Sequence, residues 1–405
     1  MVLILLVLLL TALLLGWWGI EDLSEALTYM GRITGAILIL VAGFSVLSAA
    51  AVVDHWGRNT FPYSGVVALI GTVAASLTNA MLLLETFRDG DSTLYRVLFS
   101  LLTAGSAWAV LTVLRTSVVI PSPKRVAAAL VVSSALAMAN FGYQHLYQPS
   151  QHGARPLVNI AVGKPVLSKD RKEFAVPVDI RIENHSDVGF FVLGTEFHAM
   201  GERVSLSQTD RLREQWRADA ETFRDFEAQH PLSRREIYQP GQLVLAQPWM
   251  PVGNWIEAND AFVTQTVVQL PIDTPYDQLA LYASARLARK DRLGLEQIQM
   301  KGYSWGGGKV PPWVKANKNI DSVVYRGRVY ENNAIDRHAM DPRYLTVYWQ
   351  FGTHGAGLSE SITRNGEENR IPSRAEIREM VSRYGLATAQ TGPIKRTLWD
   401  IKNRR

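Results

Sequence analysis

Gly306, Gly307, Gly308 and Lys309 have the glycines and the lysine of a loop that cradles phosphate. Such a loop needs Ser or Thr after the lysine to meet the nucleotide's metal, and a helix start close behind to meet the phosphate. Here Val310 replaces the hydroxyl, and Pro311 and Pro312 forbid the helix. The stretch reads as a flexible loop, and Tyr303, Trp305 and Trp313 around it form a candidate aromatic contact surface. The eight histidines show no H-x-H or H-x-x-x-H spacing. Asp336, His338 and Asp341 are close enough to suggest a weak metal or acid–base set, although a polar surface loop explains them more simply. Gly357-Leu358-Ser359-Glu360-Ser361 lacks the second glycine of a nucleophile elbow. With no cysteine in the chain, thiolate chemistry and disulfides are excluded. The sequence assigns no catalytic residue, metal ligand or cofactor and leans away from an enzyme. A triad assembled from distant residues would leave no sequence signal.

The elements that carry these residues fall into two unlike parts. Residues 1–146 form the expected transmembrane domain, with helices at about 1–20, 33–53, 66–84, 97–114 and 126–146. Each stretch can cross a hydrocarbon core of about 30 Å at roughly 1.5 Å per residue. Twelve of residues 2 to 15 are Leu, Ile or Val, at about −0.3 to −0.6 kcal/mol each near the bilayer centre. A cleaved signal peptide is the alternative for this first segment, but it has no basic start and no small-x-small site before Glu21 and Asp22. Trp17 and Trp18 are expected at the headgroup level. No charged side chain interrupts the five stretches, which argues against an ion-coupled pump. Gly31 with Gly35, and Gly71 with Ala75, have the small-x-x-x-small spacing of close helix packing, either within the chain or in a homo-oligomer.

The basic residues Arg58, Arg115, Lys124 and Arg125 collect at one end of the spans, and Arg32, Arg88 and Arg96 at the other. Together with the acidic loop after the first span, this small bias favours a cell-membrane, multi-pass protein with its soluble part outside the cytoplasm. The seven acidic residues of this part balance its seven basic ones, so the net charge of +5 belongs to the rest of the chain. That excess is too small and too scattered for a nucleic-acid surface.

Residues 147–156 read as a linker and 157–300 as a β-sandwich-like domain. Phe174, Val176, Val178, Ile180 and Ile182 share one face of a strand, and Phe191, Leu193, Thr195 and Phe197 line a second. The alternation recurs at Phe262 to Leu270, Leu279 to Leu287 and Leu345 to Phe351. Pro177 suits an edge strand. A helix over 209–230 interrupts the strands, with Leu212, Trp216, Ala220, Phe223 and Phe226 as its apolar stripe. Residues 301–370 read as an irregular loop and strand extension, and 371–405 as a C-terminal helix and basic tail. Ser373 and Glu376 promise a capping box, and Gly385 a helix stop. Gly392 and Pro393 break any helix-turn-helix, which again disfavours nucleic acid. Ile394, Leu398 and Ile401 would share a helical face of the tail. Its Lys395, Arg396, Lys402, Arg404 and Arg405 are either solvated or drawn to an anionic membrane surface, and the second account needs the opposite topology.

The resulting fold class is an integral membrane α-helical bundle of about five helices, followed by a β-rich, antiparallel sandwich-like soluble domain with an inserted helix. The expected function is a membrane anchor for a binding domain whose partners are the lipid bilayer and a protein or envelope component. A channel or effector gated by its soluble sensor, and a membrane-tethered hydrolase or transferase, are the alternatives.

Overall fold

The computed structural model describes residues 1–58, 60–88, 90–116, 155–204, 213, 214, 217, 218, 221, 241–300, 320–352, 355–367 and 372–402. The chain divides into two compact units. One comprises Met1–His152 with Asp291–Gly294 and Val329–Arg343; the other comprises Gly153–Lys290, Leu295–Arg328 and Tyr344–Arg405.

The first unit is built on four helices: α1 (Val2–Glu25), α2 (Tyr29–Val53), α3 (Ser64–Arg88) and α4 (Thr93–Leu114). All four are long and apolar enough to cross a membrane. Short turns make them run up and down, and each packs on its neighbour in sequence. Thr28 caps α2 by accepting the Gly31 N–H (3.0 Å). At the opposite end Asp54 accepts the N–H groups of Thr60 (3.1 Å) and Phe61 (3.0 Å), which closes the turn between α2 and α3.

The distribution of side chains in this unit is the reverse of that in a water-soluble bundle. Leu3, Leu6, Leu9, Leu13, Leu40, Leu47, Leu77, Leu84, Leu101 and Leu111 point outward, while Thr11, Ser45, Ser48, Thr72, Asn79 and Ser106 are buried. In water the exposed leucines would cost heavily; in lipid they cost nothing, and helix contacts use small and hydrogen-bonded residues instead. The Asn79 amide donates to Thr11 Oγ1 (3.0 Å), and Ser48 Oγ to the Ala68 carbonyl (3.0 Å).

The second unit consists of three antiparallel layers. In the first, β3 (Glu173–Glu183) lies between β7 (Ala261–Pro271) on one side and the short strands β1 (Leu157–Val162) and β2 (Val166–Leu167) on the other. Pro177 is therefore in a central strand and not at an edge. Its carbonyl accepts from Gly163 N–H (2.8 Å), in the interval between β1 and β2. The missing N–H falls in that gap and costs the β7 ladder nothing.

The second layer has the order β14 (Ala387–Thr397), β8 (Gln278–Arg289), β4 (Phe190–Glu202), β5 (Gln242–Gln247), with β6 (Trp255–Ile256) also on β4. Phe174, Val176, Val178, Ile180 and Ile182 of β3 meet Leu279, Leu281, Ala283, Ala285 and Leu287 of β8 in the main core. Each of the larger side chains contributes about 1.5–3 kcal/mol by leaving water. In β4 the register shifts between Val192 and Gly194, so the core face reads Phe190, Val192, then Phe197 and Ala199. That bulge takes Phe191 and Leu193 off the face that simple alternation gives them.

The third layer has the order β10 (Gln299–Met300), β11 (Ile320–Tyr330), β12 (Arg343–Gly352), β13 (Gly355–Arg364), with β9 (Gly294–Leu295) also on β11. β13 lies across β4, β5 and β8, and Val347 and Leu358 close over Gly194 at the distance a Cβ there would meet them (3.2 and 3.4 Å). The stretch expected as an irregular loop and strand extension thus supplies three long strands, of which β12 covers the alternating run Leu345 to Phe351. A short helix, α5 (Ala334–Ala339), connects β11 to β12 and belongs to the helical unit.

Ser373 and Glu376 form a capping box on α6 (Arg374–Tyr384), and Gly385 is left-handed at its end. The residues after Gly385 are not a loose tail. β14 pairs with β8, and a terminal turn, α7 (Trp399–Lys402), seals the core with Leu398 and Ile401. Of the expected helix at 209–230, only Arg213, Glu214, Arg217, Ala218 and Glu221 are described, all helical and exposed; its apolar stripe lies outside the described residues.

Candidate functional site at the end of the helical unit

The last turns of α1 carry Trp18, Glu21, Asp22 and Glu25, spaced so that Trp18 and Asp22, and Glu21 and Glu25, stack one helical turn apart. Against them lies the segment Val329–Arg343, here termed the strap. Asn333 starts α5 by accepting the Asp336 N–H (2.7 Å). The carboxylate of Asp22, itself 1% exposed, accepts the Ala334 N–H (2.6 Å), one of the donors a helix start leaves unpaired. Arg337 then reaches three carboxylates: Glu25, Glu21 (3.4 Å) and Asp22 (3.5 Å). His338 Nε2 lies 2.8 Å from Glu21 Oε2, and its ring stacks on Trp18 at 6.0 Å and 8°. Trp18 also packs on Tyr95 and Phe99, and Ala334 is buried in the same cluster.

Polar contacts continue on both sides of this centre. Asn332 Oδ1 accepts the Leu27 N–H (3.0 Å) in the turn between α1 and α2. The Ala339 carbonyl accepts the N–H groups of Asp91 (2.8 Å) and Ser92 (2.9 Å), which occupy the turn between α3 and α4. Asp91 Oδ2 in return accepts from Asp341 N–H and from Arg343, each at 3.2 Å. The strap therefore bonds to both turns at this end of the bundle. It is an arrangement for holding backbone and charge in place: each polar group named here points at another group of the same unit.

The second polar cluster lies in the β-rich unit, on the face of the middle layer away from the main core. Glu196 and His198 sit two residues apart on β4, both 2% exposed, with His198 Nδ1 hydrogen-bonded to Glu196 Oε1. Ser284 Oγ donates to Glu196 Oε2 (3.2 Å), and Tyr282 stacks on the imidazole at 4.6 Å. Among the described residues His198 Nε2 has no hydrogen-bond partner. Nearby, Arg286 of β8 lies 3.3 Å from Glu360 of β13. Burial pushes the Glu360 carboxyl above the usual carboxylate range, and Arg286 offsets this only in part. Alternation is the signal that could reveal this cluster, since Glu196 and His198 occupy the positions between Thr195, Phe197 and Ala199. Reading the strand as half-exposed conceals them.

The residues singled out by sequence scatter. Asp336 pairs with Asn333, His338 with Glu21, and Asp341 offers its backbone N–H to Asp91, so the three do not form one site. Among the described residues no three His, Asp or Glu side chains converge on a common metal position. Gly35 lies against Gly19 of α1, Gly71 against Ser48 of α2, and Gly31 against Ala26 and Thr28; Ala75 is fully buried. Trp17 is exposed, whereas Trp18 belongs to the packed cluster. Lys395 pairs with Glu202 (3.1 Å), Arg396 with Asp400 (2.6 Å) and Lys402 with Asp277 (3.2 Å). Tyr303, Trp305, Trp313, Gly306 to Lys309, Arg404 and Arg405 lie outside the described residues.

Four apolar spans with outward leucines and inward polar groups decide the class. The chain is a multi-pass membrane protein with a β-rich unit. No protein-family model matches it, and no curated protein does. Spo0M, a sporulation control protein from Bacillus subtilis, is similar at 9% identity, over 59% of this chain and 91% of that one, with a TM-score of 0.20. A Northeast Structural Genomics Consortium target, SoR45, is similar at 9% identity, over 33% of this chain and 73% of that one, with a TM-score of 0.19. At such scores neither likeness bears on fold or function.

Proposed function

We propose that this protein anchors a β-rich recognition unit at one face of a membrane. The observation that carries the reading is the strap: a segment between two strands of the β-rich part is bonded into the end of the helical unit. A tether that only needed to hold a domain in the membrane would require no such return of the chain.

The same observation supports a fifth crossing. Four up-and-down helices bring Leu114 back to the end where α1 starts, while the strap docks at the end where α1 finishes. An odd number of crossings between Leu114 and Val329 would reconcile these two ends, and the sequence from Val126 to Leu146, outside the described residues, is apolar over the required length. The β-rich unit then leaves from the end bearing Arg32, Arg88 and Arg96. The other end bears Arg58, Arg115, Lys124 and Arg125, which favours placing that end in the cytoplasm and the β-rich unit outside.

The partner is a protein or envelope component that reads the outer face of the first β layer. Val263, Val267, Val166 and Leu157 are exposed there beside Asn159, Asp179, Arg181 and Gln265, a mixture suited to recognition. Photo-crosslinking in intact cells tests this with the full chain, by placing the reactive residue in turn at Asn159, Val263 and Val267. A common adduct at all three is expected, with none at the exposed Lys169 on the β2–β3 turn. Absence of adducts at all three, or equal adducts at Lys169, would remove the support.

A further inference from the structure

We infer that the strap is a coupling bar between the two helical hairpins, so that a force or displacement arriving through β11 and β12 reaches both membrane turns together. The bar rests on the anchored-unit reading for its purpose, but its rigidity is a separate property of the helical unit.

Each hairpin is incomplete without the strap. The α1–α2 and α3–α4 hairpins each end in a tight turn, and a turn entering a helix leaves backbone N–H groups without helical partners. Strap atoms supply several of these: Asn332 Oδ1 for Leu27, and the Ala339 carbonyl for Asp91 and Ser92. The strap's own helix start is completed in return by Asp22 from α1, and its far end by Asp91. Each part thus completes the other's hydrogen bonding, and neither turn keeps its pattern if the bar leaves. Between the two contacts runs a short helix of six residues, pinned by Arg337 among Glu21, Asp22 and Glu25 and by His338 on Trp18. A pinned short helix transmits displacement without bending, which two separate flexible contacts would not do. The continuity of β11 into the strap at one end and of β12 at the other makes the β-rich strands its natural handles.

Hydrogen exchange of the full-length protein in lipid nanodiscs tests the inference, because the relevant amides are known. Asn332→Ala removes the acceptor for Leu27 and the donor to Thr28 Oγ1 (3.4 Å), both in the turn between α1 and α2. If the bar is rigid, exchange rises about tenfold at Leu27 and also several-fold at Asp91 and Ser92, in the other hairpin. The turn at the opposite end, read at Thr60 and Phe61, keeps its rate. Arg337→Gln gives the same paired loss from the middle of the bar. A rise confined to the α1–α2 turn, at Leu27 and Gly31, in the first variant overturns the inference. So does an equal rise at Thr60 and Phe61 in both variants, which would be loosening of the whole bundle. Neither result bears on whether the β-rich unit has a partner.

Discussion

At the scale of single residues, the carboxyl of Glu360 offers a test of burial against charge pairing. Burial raises its pKa and the guanidinium of Arg286 lowers it by less, so the folded state holds the proton more tightly than the unfolded chain. Stability from this group is fully present below the unfolded carboxylate pKa and is lost as pH rises through the raised folded value. Glu360→Gln removes the titration while keeping the shape. Thermal unfolding of the purified protein at pH 5 and pH 8 should show the variant gaining on the parent at the higher pH. An equal difference at both values would mean that Arg286 fully compensates. The neighbouring pair Glu196 and His198 shows why such groups escape a reading of sequence. A polar residue at an alternating position is read as solvent-facing, and only the third layer of strands makes both faces of β4 interior.

At the scale of elements, the helix contacts turn on a few positions without side chains. A Cβ on Gly35 would stand 2.7 Å from both the Gly19 carbonyl oxygen and the Leu23 nitrogen, backbone atoms that cannot swing aside. Gly35→Val should therefore force α1 and α2 apart and cost about 1–3 kcal/mol, read as a lower melting temperature in detergent. Gly43, with nothing within 4 Å among the described residues, is the matched control, and Gly43→Ala should leave the temperature nearly unchanged. The four described spans and the strands β3, β7 and β8 are legible in the sequence because one solvent or one face dictates every position along them. The small-residue spacing around Gly35 and Gly71 is legible too, but not which helix each meets. The stretch from Pro393 onward reads as a tail because Ile394, Leu398 and Ile401 fit a helical period locally, whereas pairing of Ala387–Thr397 with β8 decides the state of most of it. Similarly, the runs of β11 and β13 carry charged and glycine residues at positions that only a third layer explains.

At the scale of the molecule, the strap leaves no signal in the sequence. Asn332, Arg337 and His338 are ordinary polar residues until the turns some three hundred residues earlier in the chain are brought to them. A bilayer is the solvent of the helices, and the proposed topology puts the end of α1 and the β-rich unit on one side of it. Because the chain contains no cysteine, single cysteines can be introduced without first removing any. Ser24→Cys marks the end of α1, Phe61→Cys the turn at the opposite end, and Lys169→Cys the β-rich unit, all exposed positions. Labelling sealed vesicles with a membrane-impermeant maleimide should give Ser24→Cys and Lys169→Cys the same accessibility and Phe61→Cys the opposite one. Lys169→Cys reacting together with Phe61→Cys, or all three reacting from one side, would contradict the claim.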